Sequence, residues 1–353
     1  MNNAPSNSDI EISIFGPGIG EAIAFHYKNS WILIDSCIDH IVNKPTTLQY
    51  LQSLSVDIES SVKLIILTHW HDDHIKGAYQ LIHECRNAQI VLPNAFEDKN
   101  FRKLAIIYAK RNMVNPNGFD EVTKIIQHIV QNKRNFCFGS VDTLLLQETI
   151  DADNLNVYSI SPSSYAKLMS DISISSLIES HSQRINPPKH NYFSIGTLIN
   201  INNESYLFGA DLENLNNDQL GWEHVINHCI CIKNKKSQFY KISHHGSYNG
   251  DNAKIWSEFL IKNPIVAITP YSRGKIKLPS ESDIKRIKKQ SRKVYLTCKE
   301  PTSKFKDKAT LKATQKILKN LKIIAKNNGH IRIRINTKTK EENIELINNA
   351  VQL

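Results

Sequence analysis

The sequence comprises 353 residues, of which 41% are hydrophobic and 22% are charged, a composition typical of a soluble globular protein. Near its start no basic segment precedes an apolar one, and no apolar run approaches the roughly 18 residues of a membrane helix. We therefore expect neither secretion nor a membrane span. The expected location is the cytoplasm. Six cysteines are scattered along the chain, which predicts reduced thiols and excludes a disulfide-rich framework.

The net charge of +10 is unevenly distributed. Residues 273–340 contain 22 lysines and arginines against 4 acidic residues, whereas the rest of the chain has 22 basic and 30 acidic residues. A basic segment beside an acidic body indicates a polyanionic partner such as a nucleic acid. A compositional bias is the alternative, because the whole sequence is rich in lysine, asparagine and isoleucine.

The first predicted elements are strands over 11–15, 22–27 and 31–34, and Asp35 follows the last of them. Between the first two strands lies a glycine-rich loop, GPGIGE, at 16–21. A phosphate-binding loop of this kind needs a helix after it, and here a strand follows. We interpret the loop as a tight hairpin near an active site.

The most informative stretch is KLIILTHWHDDHIKGA, residues 63–78. A short apolar run over 64–67 predicts a buried strand, which stops at three histidines and two aspartates within six residues. In an extended segment His69, His71 and Asp73 share one face, and His74 follows at the turn into a helix. Imidazoles with a carboxylate favour Zn²⁺ over Ca²⁺ or Mg²⁺, which prefer oxygen ligands. A solvated histidine-rich loop is the alternative.

The remaining patterns predict alternating helices and strands. We expect helices over 46–54, 76–85, 252–261 and 309–323 and one from 281, and strands over 89–92, 143–146, 155–160, 194–201, 205–208, 265–269, 293–297 and 330–335. The charged, helical segment 95–140 has no metal-ligand character and is predicted to be a cap or insertion. Further candidate ligands occur at strand ends, at positions 190, 211 and 244–245, and this recurrence favours a composed site over a local accident.

Residues 68–74, THWHDDH, resemble the HxHxDH signature of the metallo-β-lactamase fold. His190, the segment GAD ending at Asp211, and the segment SHHGS at 243–247 lie where that family has its later ligands. The chain is most similar to the hydrolase domain of ComEC-type DNA-uptake proteins and their stand-alone relatives. That subgroup shares the glycine-rich loop, Asp35, HHGS, a Pro-Ser element at 279–280 and a late strand from 329, but commonly has histidine where this chain has Leu278.

The resemblance implies an α/β protein, a four-layer αββα metallo-β-lactamase sandwich with an inserted helical segment. A single domain would extend over 9–340, with 95–140 as the helical insertion or cap and 273–340 as its basic C-terminal part. Residues 1–8 and 341–353 would be terminal tails.

The resemblance also implies a centre of two divalent metal ions, two Zn²⁺ or alternatively Mn²⁺. His69, His71 and His190 would hold one ion, and Asp73, His74 and His244 the other, with Asp211 bridging them. His181 is an alternative to His190, and His245 is an alternative to His244. The two ions would share a bridging hydroxide whose pKa they lower toward ~7.

Other residues receive supporting roles in this scheme. Asp73 and His245 are the predicted catalytic residues, His245 being either a proton donor to the leaving group or a hydrogen-bonded neighbour of His244. We expect Asp35, Ser36 and Ser247 to orient the ligands, although Asp35 is equally well explained as a strand-end cap. The predicted substrate-binding residues are Lys275, Lys277 and Ser280.

The fold serves many reactions, so the resemblance implies metal-assisted hydrolysis more directly than a substrate. The HHGS segment, the basic C-terminal part and the expected location favour a phosphodiesterase or nuclease acting on nucleic acid or another phosphodiester. One alternative is a hydrolase of small esters, thioesters or lactones. Another is a partner-dependent hydrolase effector in a bacterial defence system, with its partner docked on 95–140. The sequence does not indicate an oligomeric state.

Overall fold

Two large β-sheets form the centre of the protein in the computed structural model, which describes residues 3–16, 18–39, 42–111, 118–179, 191–273, 275–299 and 329–353. The first sheet has eight strands in the order β19-β18-β1-β2-β3-β6-β7-β8. Its strands are β1 (Asp9–Gly16), β2 (Ala22–Tyr27), β3 (Ser30–Ile34), β6 (Val62–Ile66), β7 (Gln89–Leu92), β8 (Phe136–Phe138), β18 (Gly329–Asn336) and β19 (Glu342–Ile347).

The second sheet also has eight strands, in the order β20-β17-β14-β13-β12-β11-β10-β9. They are β9 (Thr143–Ile150), β10 (Asp153–Ser159), β11 (Thr197–Ile201), β12 (Glu204–Phe208), β13 (Ser237–Lys241), β14 (Leu260–Ile268), β17 (Lys293–Leu296) and β20 (Val351–Gln352). Two short hairpins accompany the sheets, β4 (Ile38–Asp39) with β5 (Lys44–Pro45) and β15 (Tyr271–Arg273) with β16 (Ile276–Leu278).

The helices cover the outer faces of both sheets. They are α1 (Thr46–Ser53), α2 (Ile58–Ser61), α3 (Asp72–Ile75), α4 (Ala78–Glu84), α5 (Lys99–Arg111), α6 (Gly118–Gln131), α7 (Ser164–Glu179), α8 (Gly221–His228) and α9 (Glu281–Gln290). Side chains of α1, α4 and α6 pack on the first sheet, and those of α8 and α9 pack on the second. This mixed α/β arrangement confirms the predicted fold class.

Besides the apolar residues under the helices of each sheet, a third apolar layer lies between the two sheets. Strands that are covered on both faces carry apolar side chains on both faces. Ile12 and Phe25 of the first sheet meet Tyr206 and Phe239 of the second in this layer. The strands therefore show almost continuous hydrophobic runs, which explains why most of them could be predicted from the sequence.

In both sheets, parallel strands place their carboxyl ends at one edge. The parallel pairs are β3 with β6, β6 with β7, β7 with β8, β12 with β13, β13 with β14, and β14 with β17. Polar residues that follow these strands in the sequence are thereby brought together, which is the usual position of sites in folds with parallel strands.

The structure corrects several predicted boundaries. Residues 341–353, predicted as a tail, contribute β19 and β20, because the ENIELI segment alternates and pairs along β18. Residues 136–138, predicted within the insertion, form β8 beside β7. The helix predicted over 252–261 is one short turn, Ile255–Phe259, after which β14 begins. The helix predicted over 309–323 lies outside the described residues.

The helical insertion is anchored to the histidine-rich motif. Helix α6 begins at Gly118, whose amide donates a hydrogen bond to Asp72 Oδ1 at 2.6 Å. Trp70 stacks on Phe193 with a ring separation of 4.2 Å, and the two rings also meet His71 edge-on, at 6.2 and 6.3 Å. Among the described helices, none is long and apolar enough to span a membrane.

Candidate metal centre

Two adjacent clusters of imidazole and carboxylate groups lie where the parallel strands end. His69, His71 and Asp211 form the first, and Asp73, His74 and His245 form the second, and in each the donor atoms lie within 4.8 Å of one another. The clusters are connected through Asp211. The Nε2 atoms of His69 and His74 lie 3.6 and 3.4 Å from its two carboxylate oxygens.

The local backbone explains why the motif residues converge. After β6 the chain stays extended through His71, the residue before α3, so that His69 and His71 project toward the same side. The short helix α3 then turns the chain and brings Asp73 and His74 to that side as well. Gly77 follows with a φ of +85°, where a Cβ would lie 3.0 Å from Ile38 Cγ2, and this turn leads into α4.

Unpaired buried atoms indicate that the two clusters fit metal ions. His69 Nε2, His74 Nε2 and Asp211 Oδ1 are all buried without a hydrogen-bond partner in the described part of the chain. An unsatisfied buried polar atom costs about 1–3 kcal/mol, so three of them facing one another would be unfavourable without a ligand. Nitrogen donors combined with carboxylates suit Zn²⁺ and similar divalent cations.

The pKa values in the centre show the same need for positive charge. Burial acts to lower the pKa of His74, but the carboxylates of Asp211, Asp73 and Asp35 outweigh it and hold that pKa well above its usual value. Burial acts to raise the pKa of Asp211, yet His74 and His245 hold it well below the usual range. A protonated histidine thus balances the carboxylates here, a role that a bound cation would take over.

Asp35 contacts His74 on the side of the imidazole ring that faces away from Asp211. Its Oδ2 accepts hydrogen bonds from His74 Nδ1 and Thr68 Oγ1, both at 2.7 Å, and its Oδ1 accepts from the Thr68 amide at 2.7 Å. Because His74 Nδ1 is held in this contact, Nε2 is the ring atom that faces the centre, where a bound cation would replace its proton. Asp35 is fully buried and contacts both His74 and Thr68, so its position is compatible with both predicted roles, orienting a ligand and capping the strand end.

We expect the substitution Asp35→Asn to weaken metal binding about 10- to 100-fold, the usual effect of removing a carboxylate behind a ligating histidine. An amide can still accept from Thr68, so the fold should persist. Competition with a chromophoric chelator measures the affinity. Asp151→Asn is the matched control, because that carboxylate is 85% exposed. Equal affinity in both variants would contradict the role of Asp35.

His245, rather than His244, is directed into the centre. Its Nε2 lies 3.3 Å from Asp73 Oδ2, and its Nδ1 lies 2.9 Å from the carbonyl oxygen of Thr269, which fixes the proton on Nδ1. His244 is 20% exposed, with Nδ1 3.4 Å from Glu213 Oε1 and 3.2 Å from Asn249 Oδ1. Both histidines have positive φ values, and this sharp turn reverses the two side chains relative to an extended strand.

The structure gives the other predicted residues different positions. Ser36 donates its hydroxyl to the Lys76 carbonyl oxygen, and Ser247 donates its hydroxyl to Asn249, so neither contacts a clustered imidazole through its side chain. Ser280 caps α9 through Asp283. Lys275 and Lys277 are exposed and do not line the cleft at the centre. His181 and His190 lie outside the described residues, so the third histidine of the first cluster stays a prediction.

Asn191 is a residue at the centre that the sequence analysis missed. Its Nδ2 donates to Asp211 Oδ2 at 3.3 Å, and its Oδ1 is buried with no hydrogen-bond partner among the described residues. In the sequence it directly follows His190, the predicted ligand. An asparagine that leads into a buried strand beside a candidate histidine was the available signal.

A buried ion pair joins the two sheets beneath the centre. Lys241 Nζ lies 2.6 Å from Glu21 Oε2, with side chains 0% and 1% exposed. Glu21 also accepts a hydrogen bond from Thr269 Oγ1, and its amide donates to the Asp73 carbonyl oxygen at 2.8 Å. Since Thr269 holds His245, this pair connects Asp73 with His245. The glycine-rich loop therefore contributes Glu21 to the site, as its predicted position near an active site suggested.

The open side of the centre is a cleft with two parts. A cavity of about 410 Å³ contains the metal-cluster side chains Asp73 and His245 together with the rim residues Glu213 and His244. A second cavity of about 260 Å³ is lined by Lys76 and Arg273. Both share Asp73 and Tyr271, and the Tyr271 ring stacks on His245 at 5.0 Å. This second pocket carries two basic side chains, Lys76 and Arg273, and two acidic ones, Asp72 and Asp73, and it adjoins the candidate metal centre.

Comparison with known families agrees with this geometry for part of the chain. Residues 16–125 match the model of the Metallo-beta-lactamase superfamily, a segment that contains Asp35 and the four candidate ligands from His69 to His74. No curated protein matches the chain.

Among solved structures, the chain is similar to Rm3 metallo-beta-lactamase, with 13% identity, 58% of this chain and 63% of that chain covered and a TM-score of 0.30. It is also similar to a metallo-beta-lactamase from Pontibacter korlensis, with 16% identity, coverage of 59% and 71% and a TM-score of 0.26. A protein of unknown function from Enterococcus faecalis V583 has 12% identity, coverage of 65% and 49% and a TM-score of 0.32. The chain thus spans less than two thirds of the first structure's length, and TM-scores this low carry no argument about function.

Proposed function

We propose that this chain, which carries a metallo-β-lactamase superfamily domain, is a hydrolase with two divalent metal ions, most suitably Zn²⁺. In this proposal His69, His71 and Asp211 hold one ion, and Asp73, His74 and His245 hold the other. Asn191 and the predicted His190 complete the first set. Asp211 bridges the two, since its oxygens face imidazoles of both clusters.

Bound in this way, two divalent ions supply a water nucleophile at neutral pH and stabilise the negative charge that develops on the attacked group. The protein's own residues then position the substrate and move protons. His245 is committed by its hydrogen bond to Thr269 and faces Asp73, so we assign it as a ligand. His244, at the rim beside Glu213, is the residue we assign to protonate the leaving group.

We propose that the substrate is a phosphodiester. The observation that supports this choice is the pocket of Lys76 and Arg273, which shares Asp73 with the candidate metal centre. A guanidinium group and an ammonium group suit a second phosphate next to the one being cleaved, and Arg contacts phosphate oxygens in pairs. A polynucleotide or a substrate with two phosphates satisfies both parts of the cleft.

The test is to load the purified protein with Zn²⁺ or Mn²⁺ and to offer single-stranded DNA, RNA and bis(p-nitrophenyl) phosphate beside a neutral carboxylic ester. We expect hydrolysis of the phosphodiesters, and weaker nucleic-acid cleavage as salt rises. Turnover of the carboxylic ester alone, with two metal equivalents present, would disprove the phosphodiesterase assignment.

The pocket lined by Lys76 and Arg273 gives a second prediction, about nucleic-acid hydrolysis. Replacing Lys76 and Arg273 with alanine should lower kcat/KM for nucleic acid about 10²- to 10⁴-fold, because each of the two charge-assisted hydrogen bonds contributes about 1.5–3 kcal/mol. Hydrolysis of the neutral ester, if measurable, should not change. The matched control is the double substitution of the exposed Lys275 and Lys277 with alanine. A larger loss in the Lys275→Ala/Lys277→Ala protein would show that these two lysines, which the sequence predicts to bind substrate, do so in place of Lys76 and Arg273.

An ester or lactone hydrolase is the second candidate. Ile276 and Leu278 of the β15–β16 hairpin line the cavity that holds the metal clusters, and Ile276 is 58% exposed, so the cavity has an apolar wall suited to an acyl chain. This candidate predicts activity that is insensitive to salt and to the Lys76 and Arg273 substitutions. The partner-dependent hydrolase stays a prediction.

A further inference from the structure

A second group of metal-ligating side chains lies on the outer face of the second sheet, apart from the candidate metal centre. It consists of Cys229 and Cys231, which follow α8, and Asp142, in the turn between β8 and β9. Cys229 is fully buried and Cys231 half-buried, and all six cysteines are free thiols. The function proposed above uses none of these three residues.

The three side chains converge on one point. The Cys229 and Cys231 sulfurs are 3.5 Å apart, and Cys229 Sγ is 3.2 Å from Asp142 Oδ1. Two thiolates on a tetrahedral Zn²⁺, with Zn–S bonds of about 2.3 Å, are roughly 3.7–3.8 Å apart. Only a few tenths of an ångström of movement therefore separates the observed arrangement from a coordinating one.

The carboxylate interacts with both the amides and the thiols. Asp142 Oδ1 accepts from Cys229 Sγ and from the amides of Ile230 and Cys231, whereas Oδ2 accepts from the Ile230 amide at 3.0 Å, and the carboxylate also interacts with the Cys231 thiol. A carboxylate that only caps this turn needs the two amides and no sulfur. The two thiols beside it are the feature that turn capping leaves unexplained.

We propose that Asp142, Cys229 and Cys231 form a second, thiolate-containing site for a divalent cation of the Zn²⁺ class. Two sulfurs and one carboxylate oxygen supply three of the four positions that such a cation prefers, and water supplies the fourth. Binding exchanges two thiol protons for the cation, so that two protons are released for each ion bound.

The local charges agree with this proposal. The hydrogen bond with Cys229, burial and the charge of Asp142 together raise the pKa of the Cys231 thiol. A cation at this point reverses that effect, since it neutralises the carboxylate and stabilises both thiolates. His224, five residues before Cys229, has a buried Nδ1 without a hydrogen-bond partner within the described ranges, and its charge interacts with that of Asp142, but it lies outside the cluster of three donor atoms.

The test uses Cd²⁺, whose thiolate complexes show a charge-transfer band in the ultraviolet, titrated into the full chain under reducing conditions. The candidate metal centre contains only nitrogen and oxygen donors, so the band reports on the cysteine site alone. We expect a band that corresponds to one Cd²⁺ bound by thiolates, competes with Zn²⁺, and persists in the His71→Ala/Asp73→Ala variant. It should vanish in Cys229→Ser/Cys231→Ser and form at least tenfold more weakly in Asp142→Asn.

Cys137→Ser is the matched control, because that half-buried thiol lies on the first sheet. If the double cysteine variant does not fold, alkylation of the unaltered protein with and without Zn²⁺ gives the same information, with protection by Zn²⁺ expected at the half-buried Cys231. The absence of a band, or a band that survives the double substitution, would overturn the proposal without affecting the proposed hydrolase activity.

Discussion

Replacing both His71 and Asp73 with alanine will remove metal binding and hydrolytic activity while leaving the fold intact. The substitution takes one donor from each cluster and leaves His69 with Asp211 and His74 with His245. Loss of the ions removes several kcal/mol of charge stabilisation in the transition state, which at ~1.4 kcal/mol per decade lowers the rate on the order of 10³-fold or more.

The fold should survive because both side chains are only partly buried, unlike His69 and His74, and neither belongs to an apolar core. Metal content measured by elemental analysis should fall by about two equivalents, with circular dichroism unchanged. His83→Ala is the control, since that imidazole is 49% exposed on α4. Full activity in the double variant would place the chemistry elsewhere.

Local patterns in the sequence predicted much of the site. The HxHxDH spacing places four side chains by backbone geometry alone, because an extended segment followed by a turn leaves little freedom. Asp35 and Asp211 were predictable for a related reason, since each follows a buried strand whose end lies at the common edge of the sheets. These six residues are where the prediction and the structure agree in position.

The rest depended on tertiary contacts that no local pattern contains. Which of His244 and His245 faces Asp73 is decided by two consecutive positive φ values and by the Thr269 carbonyl oxygen, 24 residues later. Lys241 looks like an ordinary strand residue until Glu21 is brought beside it from the other sheet. Likewise, the 341–353 segment is recognisable as strands only once β18 and β17 provide edges for it.

The Glu21–Lys241 pair leads to the second large effect. Lys241→Met should destabilise the protein by about 3–5 kcal/mol, because it leaves the Glu21 carboxylate buried without its partner. The double variant Glu21→Gln/Lys241→Met should recover most of that loss, since neither side chain is then charged and the amide can still accept from Thr269 Oγ1. Urea unfolding of the four proteins in this double-mutant cycle measures the coupling.

Metal affinity in the same four proteins distinguishes a stabilising pair from one that also positions the centre. Glu21 and Thr269 connect Asp73 to His245 through one hydrogen-bonded path, so Lys241→Met should weaken metal binding even under conditions where the variant is fully folded. The double variant keeps that path and should bind metal nearly as tightly as the unaltered protein. If Lys241→Met and the double variant bind metal equally well, the Glu21–Lys241 pair contributes to stability alone. If the two variants are destabilised by the same free energy, the charges of Glu21 and Lys241 do not depend on each other.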